Sequence, residues 1–533
     1  MKHRSTLIAV GVCWVAFSSA ATCIARRQSV TGDEVAHIGA GVGYLQGDMR
    51  LNREHPPLLK LLAAWSLGLH EPPRVPLAVD DSTQWSFGHA LLHTGAPGHA
   101  LSLASRSRVP VLLLASLGLW LAALWAYALA GPVAAVSAAF FAACCPLWYA
   151  HATLVTTDAA VSVFSLASAL SAWRVLRAPS VPFRVIGKWL LLLAASVALG
   201  TASKYSMVVA IAGLGLAALV AALPGRSWRA LSWVWAALLV GGLLGCSFAW
   251  GWPPDPLDYV AGMRRVGFNH MQGYPFYAFG EYFVGAGSEP FYFVRALLVK
   301  LEWPLILLAC LGLALLLSRA LRGVPGSELR RSSLGDCAFL LIAPGVYLLV
   351  MSLFAPAVGV RYVLPVVPFA IVLAGVSVAE LARLPRAKIA LALACALELF
   401  ALVQALRTSP IAWFNGFPCR TGAIPACLDD SNVDWGQSLP ALADYRDAHF
   451  AGQPLRVFQF IRLPLSAYMT RAQEAAPMEL LRPYRSLYAA SLHSLTRMPP
   501  VSPFTRIAPL AVVGGSMAIF DLRGVEVLPA APP

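Results

Sequence analysis

Apolar stretches long enough to cross a bilayer recur along this chain, and most of the charge falls in the short segments between them. Hydropathy predicts about eleven spans. They lie near 6–25, 108–129, 132–150, 157–174, 187–203, 205–223, 230–250, 295–318, 336–355, 361–382 and 388–406. Three longer, more polar segments interrupt the pattern: 26–107, 251–294 and the tail 407–533. The tail alternates strand-like pieces (Leu455–Ile461, Leu510–Phe520) with a helix-like one (Leu439–His449), as a small α/β domain would. The expected architecture is a polytopic α-helical membrane domain over 1–406, including external loops 26–107 and 251–294, followed by an extracytoplasmic α/β domain over 407–533. No internal repeat of fixed period is visible.

Charge orients the spans. With Lys2 and Arg4 inside, the loops on the same side hold Arg174, Arg177, Arg184 and Lys188, then Arg226 and Arg229. Arg319, Arg322, Arg330 and Arg331 follow there, and then Arg383, Arg386 and Lys388. The short loops on the other side hold little beyond Lys204 and Arg361. By the positive-inside rule the N-terminus is cytoplasmic. The three long segments are then periplasmic in a bacterial inner membrane. Lys2, His3 and Arg4 before an apolar run also suit a signal peptide, but so many later spans favour an uncleaved anchor.

Composition agrees: 58% of residues are hydrophobic and 12% charged, with mean hydropathy +0.67. That excludes an ordinary soluble globular protein. The net charge of +14 does not indicate a nucleic-acid partner, because the basic residues follow the topology rule. Of ten cysteines, Cys144 and Cys145 sit in apolar runs as core residues. Cys419 and Cys427 flank a polar loop on the outer side and are candidates for a disulfide. No P-loop, Gly-rich nucleotide fingerprint or nucleophile elbow is present, which disfavours an ATP-driven pump.

Chemistry is therefore sought among the polar residues of the outer face, since ionisable groups near lipid are costly. Asp33 and Glu34 follow the first span, and Asp33 and His37 share a helical face. A carboxylate there can serve as a general base. The plainer reading is a helix start with Thr31 as N-cap. Glu54-His55-Pro56-Pro57 with Lys60 reads as a rigid entry to an interfacial helix, or as part of an anion cradle. Asp158 either caps its span or faces a polar cavity. Lys204 is either a turn lysine or a phosphate ligand. Arg361 and Tyr362 are either interfacial anchors or ligands of a phosphate or carboxylate. The aromatic run Tyr274–Tyr282 suits sugar stacking or headgroup anchoring, and His270 beside it is either exposed or a metal ligand. Asp429 to Gln437, with Asp434 in the middle, reads as an Asx-turn and cap cluster.

Taken in order, Asp33-Glu34, Glu54-His55-Pro56-Pro57-Leu58, Thr157-Asp158, Gly359-Val360-Arg361-Tyr362 with Pro365, and Asp430 to Gln437 resemble membrane glycosyltransferases of the GT-C fold. The nearer groups are the protein O-mannosyltransferases, the aminoarabinose transferases and the bacterial phospholipid-carrier-dependent glycosyltransferases. The resemblance covers about 30–440. It implies transfer of a monosaccharide from a polyprenyl-phosphate donor to a hydroxyl of a protein, lipid or glycan, with inversion. Asp33 is then the general base, with Glu34 and Asp158 beside it. His55, Lys60, Lys204, Arg361 and Tyr362 bind the donor phosphate, while Glu54, His37 and Asp434 support the acceptor side. His55 stands where aminoarabinose transferases often carry lysine. A divalent metal is optional, with Glu54 and His270 as candidate ligands. The alternative is a transporter or flippase of a lipid-linked sugar. That reading calls for charges near the bilayer midplane, whereas the acidic residues here gather at one face.

Overall fold

The computed structural model describes residues 3–524, apart from 96–97, 178–182, 252–253, 272, 323–327, 417–419, 422–423, 426 and 499–500. Among the described residues, ten helices are long and apolar enough to cross a membrane. Counting the pair Pro132–Cys144 and Pro146–Ala152, bent by 64°, gives eleven. The bend sits at Cys145, whose extended backbone precedes Pro146; proline lacks the N–H that would continue the helix. Leu191, Leu239 and Ile389 point outward from their helices, as lipid-facing side chains do.

Inside the bundle, small residues let backbones approach. A Cβ on Gly312 would lie 2.2 Å from the Leu373 carbonyl oxygen, so the helices Trp303–Arg322 and Val367–Leu381 meet only because that position is glycine. Two predicted spans are modified. The stretch 295–318 divides into Tyr292–Lys300 and Trp303–Arg322, with a break at Leu301 and Glu302. The second span extends back to His99 and is interrupted at Arg108.

The polar segments fold onto the end of the bundle. The first contributes the helices Gly32–Leu45, Leu58–Trp65 and Thr83–Leu92. The second contributes the helix Pro256–Met271 and a hairpin, Pro275–Ala278 with Glu281–Val284. Phe279 and Gly280 in the hairpin turn both have positive φ, 51° and 99°, which suits the twist of a two-residue turn. The aromatic run read as a loop is thus largely strand, and Phe276 stacks on Phe283 at 5.2 Å.

The tail carries a five-stranded mixed sheet and the helix Leu439–Phe450. Leu455–Phe458 lies parallel between Ala472–Glu474 and Leu487–Ser491. Met517–Asp521 then pairs antiparallel with Leu487–Ser491, and Ala511–Val513 closes the edge. The predicted strand 510–520 is therefore two strands, turned at Gly514 and Gly515, both with positive φ. One face of the sheet shares a core with Val30 and Val35, so the tail is packed directly on the helix that carries Asp33.

Candidate functional site

Asp33 and Glu34 lie in the first turn of Gly32–Leu45 and point to different surroundings. Asp33 remains 27% exposed and pairs with Arg361 at 2.6 Å. Glu34 is fully buried and pairs with the equally buried Arg108 at 2.5 Å. It also accepts from the Thr31 backbone N–H (2.9 Å), the Thr31 hydroxyl (3.0 Å) and the Val155 N–H (2.8 Å). Arg108 uses all five of its donors: two on Glu34 and three on the carbonyls of Ala25, Gln28 and Ser29. Those carbonyls end the first span and begin the turn into Gly32–Leu45. The pair therefore fixes where Asp33 stands, and the expected chemical role of Glu34 gives way to a structural one. Sequence reading passed over Arg108; its signal was a charge at the head of an apolar span, which requires a partner.

A second ion pair stands beside the first. Lys204, in the turn between two spans, is bonded to Asp158 in the first turn of Thr157–Arg177, and both are buried. The two pairs are joined through Tyr362, whose ring lies 5.1 Å from the Lys204 ammonium and 5.4 Å from the Arg361 guanidinium. The site thus sets two cations and two carboxylates around one aromatic ring. Lys204 and Asp158 thus pair with each other in addition to occupying a turn and the first turn of a helix.

His37 and His55 face each other at 5.4 Å. His37 donates from Nδ1 to the Val155 carbonyl at 2.8 Å. Burial holds its pKa below the ordinary value, against the pull of Asp33. Burial, and then His37, hold His55 well below its own, so both rings are neutral at pH 7. Nδ1 of His55 is buried without a partner among the described residues. Lys60 differs from expectation. Its ammonium is buried and donates to Tyr44 (3.1 Å), to the Asn52 carbonyl (2.6 Å) and side chain (2.9 Å), and to the His55 carbonyl (2.6 Å). It fastens the loop carrying His55 and leaves no donor for a phosphate.

Glu54 accepts from Asn269 at 3.1 Å, and its carboxyl is pushed up by burial and by the charge of Asp33. His270, next to Asn269, packs on Tyr362 at 6.2 Å, and burial lowers it to about 4. Glu54 and His270 thus border the same site. Among the described residues no group of three or more metal-type ligands is found. These two donors alone do not make a resident metal site, and no step is derived through one.

The tail motif has a definite task. Trp435 lies 4.0 Å over the Arg361 guanidinium, and its carbonyl accepts from the Gly32 N–H at 3.1 Å. The Gln437 carbonyl accepts from Ser29 at 3.2 Å, while the Asn432 side chain accepts from Val360 at 2.9 Å. Ser431 donates to the Val358 carbonyl at 2.8 Å. One loop therefore clasps both segments whose side chains form the Asp33–Arg361 pair. Asp434 serves the clasp itself, accepting from Ser491 and from the Gly436 N–H. Asp430 holds a positive φ of 55°, and burial and the charge of Asp429 push it up to about 7. Lys300, also unforeseen, ties the motif to the bundle by donating to the carbonyls of Asn432, Trp413 and Ile411.

The acidic residues do not all keep to one face: Asp336 is buried at the other end of the bundle, paired with Arg177 at 2.6 Å. Glu398 lies midway along the span Pro385–Arg407 and is buried, with neither carboxylate oxygen partnered among the described residues. The expectation of spans free of internal carboxylates was therefore incorrect. Cys144 and Cys145 are buried and free, as expected of core residues. Cys427 is disulfide-bonded, and Cys419 lies outside the described residues.

A family model described as dolichyl-phosphate-mannose-protein mannosyltransferase matches residues 101–252. No curated protein matches the chain in sequence. Among solved structures, the chain is similar to ArnT from Cupriavidus metallidurans bound to undecaprenyl phosphate, with TM-score 0.50 and 13% identity over 100% of both chains. The apo form of that protein gives TM-score 0.46 and 14% identity over 99% of both chains. The chain has the GT-C fold expected from its motifs: a helical membrane body with a small C-terminal sheet domain.

Proposed function

We propose that this chain is an integral membrane glycosyltransferase moving a monosaccharide from a polyprenyl-phosphate donor to an acceptor hydroxyl. The observation that carries the reading is the partly exposed Asp33 carboxylate held against Arg361, beside the Lys204–Asp158 pair and next to Tyr362. The structure of the similarly folded ArnT bound to undecaprenyl phosphate supports a lipid phosphate as the carrier. Residues 1–406 form the transferase body, and 407–533 the domain that clasps it.

In this reading the resting ion pairs act as a latch. An arriving phosphate competes with Asp33 for Arg361 and with Asp158 for Lys204. As Arg361 turns to the phosphate, Asp33 becomes a free base. It accepts the proton of the acceptor hydroxyl while that oxygen bonds to the anomeric carbon. The bond from that carbon to the phosphate oxygen breaks on the opposite face, and inversion results. Arg361 and Lys204 neutralise the phosphate as it leaves. The neutral His55 ring contributes a hydrogen bond rather than a charge, and Tyr362 offers its face to the sugar. Glu54 and His37 line the acceptor side. The site opens to the periplasm in an inner membrane, with the N-terminus cytoplasmic.

The test is Asp33→Asn in purified full-length protein, given a polyprenyl-phosphate sugar and candidate acceptors. Transfer is expected to fall about 10²–10⁴-fold while the protein stays folded and retains donor. Unchanged turnover would remove Asp33 from the mechanism.

A further inference from the structure

Away from that site, a cavity of about 630 Å³ opens between the start of Trp303–Arg322 and the end of Pro385–Arg407. Its walls are mostly apolar, and two of them, Leu397 (50% exposed) and Phe400 (59% exposed), also face the surrounding bilayer. Against that background its polar groups stand out. Glu302 lines the cavity while 99% of its surface is buried (1% exposed), and neither of its oxygens has a hydrogen-bond partner among the described residues. The Cys145 thiol lies near it, a weak donor at best. The indole N–H of the buried Trp413, on another wall, likewise has no acceptor. Arg407 lines the cavity from the helix end. Buried carboxyl oxygens and a buried N–H left without partners are costly, so this inventory calls for a ligand.

What would satisfy it is defined by the groups themselves. The two unpartnered Glu302 oxygens call for hydrogen-bond donors, which an ammonium group supplies. The Trp413 N–H requires an acceptor oxygen, and Arg407, exposed at the helix end, suits an anionic one. The apolar walls require acyl chain. The cavity also sits at the ends of two spans, the depth at which phospholipid headgroups lie. We propose that it binds a phospholipid with a primary-amine headgroup, of the phosphatidylethanolamine class. The ammonium sits on Glu302, the phosphate on Trp413 Nε1 and Arg407, and the chains lie along Leu397 and Phe400. This site is independent of the transfer reaction and of the reading given for it.

Native mass spectrometry of the detergent-purified full-length chain tests this, with dioleoyl phosphatidylethanolamine, phosphatidylglycerol and phosphatidylcholine added in turn. The wild type should retain one phosphatidylethanolamine in preference to the other two. Phosphatidylglycerol lacks the cation, and phosphatidylcholine lacks N–H donors. Glu302→Gln should lose that preference by roughly tenfold or more, the equivalent of one charge-assisted hydrogen bond. Trp413→Phe should weaken all three lipids while keeping the preference for the amine, which supplies a readout on a different element should Glu302→Gln fold poorly. Equal retention of the three lipids by wild type would overturn the proposal, as would undiminished preference in Glu302→Gln. Full displacement of the lipid by millimolar ethanolamine would overturn the lipid assignment in favour of a free amine.

Discussion

Replacing Glu34 by alanine should damage the fold, whereas changing its neighbour Asp33 should damage the chemistry. Removing the Glu34 carboxylate leaves the Arg108 guanidinium fully buried with only carbonyl partners. It also strips acceptors from the Thr31 and Val155 N–H groups. Breaking a buried ion pair from one side costs about 3–5 kcal/mol. The loss should appear as a thermal-unfolding midpoint several degrees lower in detergent, and as reduced yield of monodisperse protein. Adding Arg108→Met to Glu34→Ala removes the stranded charge and should restore part of the midpoint, since such pairs are often replaceable by apolar groups. Specific transfer activity of the folded fraction of Glu34→Gln should stay within about an order of magnitude of wild type, far above that of Asp33→Asn. A Glu34→Ala protein melting with the wild type would refute the structural assignment. So would a Glu34→Gln protein that melts normally but is as inactive as Asp33→Asn.

Further outcomes follow from the same geometry. Lys204→Gln should raise the apparent KM for donor about 10–100-fold, the value of a hydrogen bond to a charged group, with a smaller change for acceptor; equal changes in both would argue against a phosphate ligand. Trp435→Phe keeps an aromatic face over Arg361 and should retain donor affinity, while Trp435→Leu should lose about 0.5–2 kcal/mol of it; matching behaviour of the two would remove the ring from the account. His93 and His270 are lowered by burial to about 4 and His493 to about 3, from an ordinary 6.5. Below pH 6.5 the unfolded chain takes up protons that the folded chain refuses, so stability is lost as pH falls from 6.5 towards 4. Asp430, which takes up a proton near pH 7 in the folded chain, acts in the opposite sense, so the histidine part is read by comparison: His93→Gln should lose less midpoint, or gain more, between pH 7.5 and pH 5 than wild type, and an equal difference would contradict the burial of that ring. A cysteine introduced beside Lys204 should react with an impermeant thiol reagent added outside the cell, and one beside Arg226 should not; the opposite labelling would invert the proposed topology.

Much of this was legible in the chain. Spans follow from apolar length, because a backbone in lipid must satisfy its own hydrogen bonds as helix. The short-loop charges Arg174 to Lys388 then proposed a topology, and the order of polar motifs along that topology pointed to the GT-C fold later found. Strand pieces of the tail were legible from alternation, although the Gly514-Gly515 turn divided one of them.

Partnership was not legible. Asp33 and Glu34 are adjacent carboxylates in one helical turn, and no local rule says that one meets Arg361 and the other Arg108, since both partners arrive from distant segments. Lys60 and Lys204 look alike as lone outer-face lysines, yet one is spent on neutral oxygens of its own loop and the other on Asp158. The motif from Asp430 to Gln437 reads locally as turns. Only packing shows that its hydrogen bonds reach Ser29, Gly32 and Val360 together. Hydrophobic length and charge bias act along the chain and can be read from it. The protonation, partner and reach of a buried polar group depend on which surfaces the fold brings within about 3 Å, and that distance exists only in the tertiary structure.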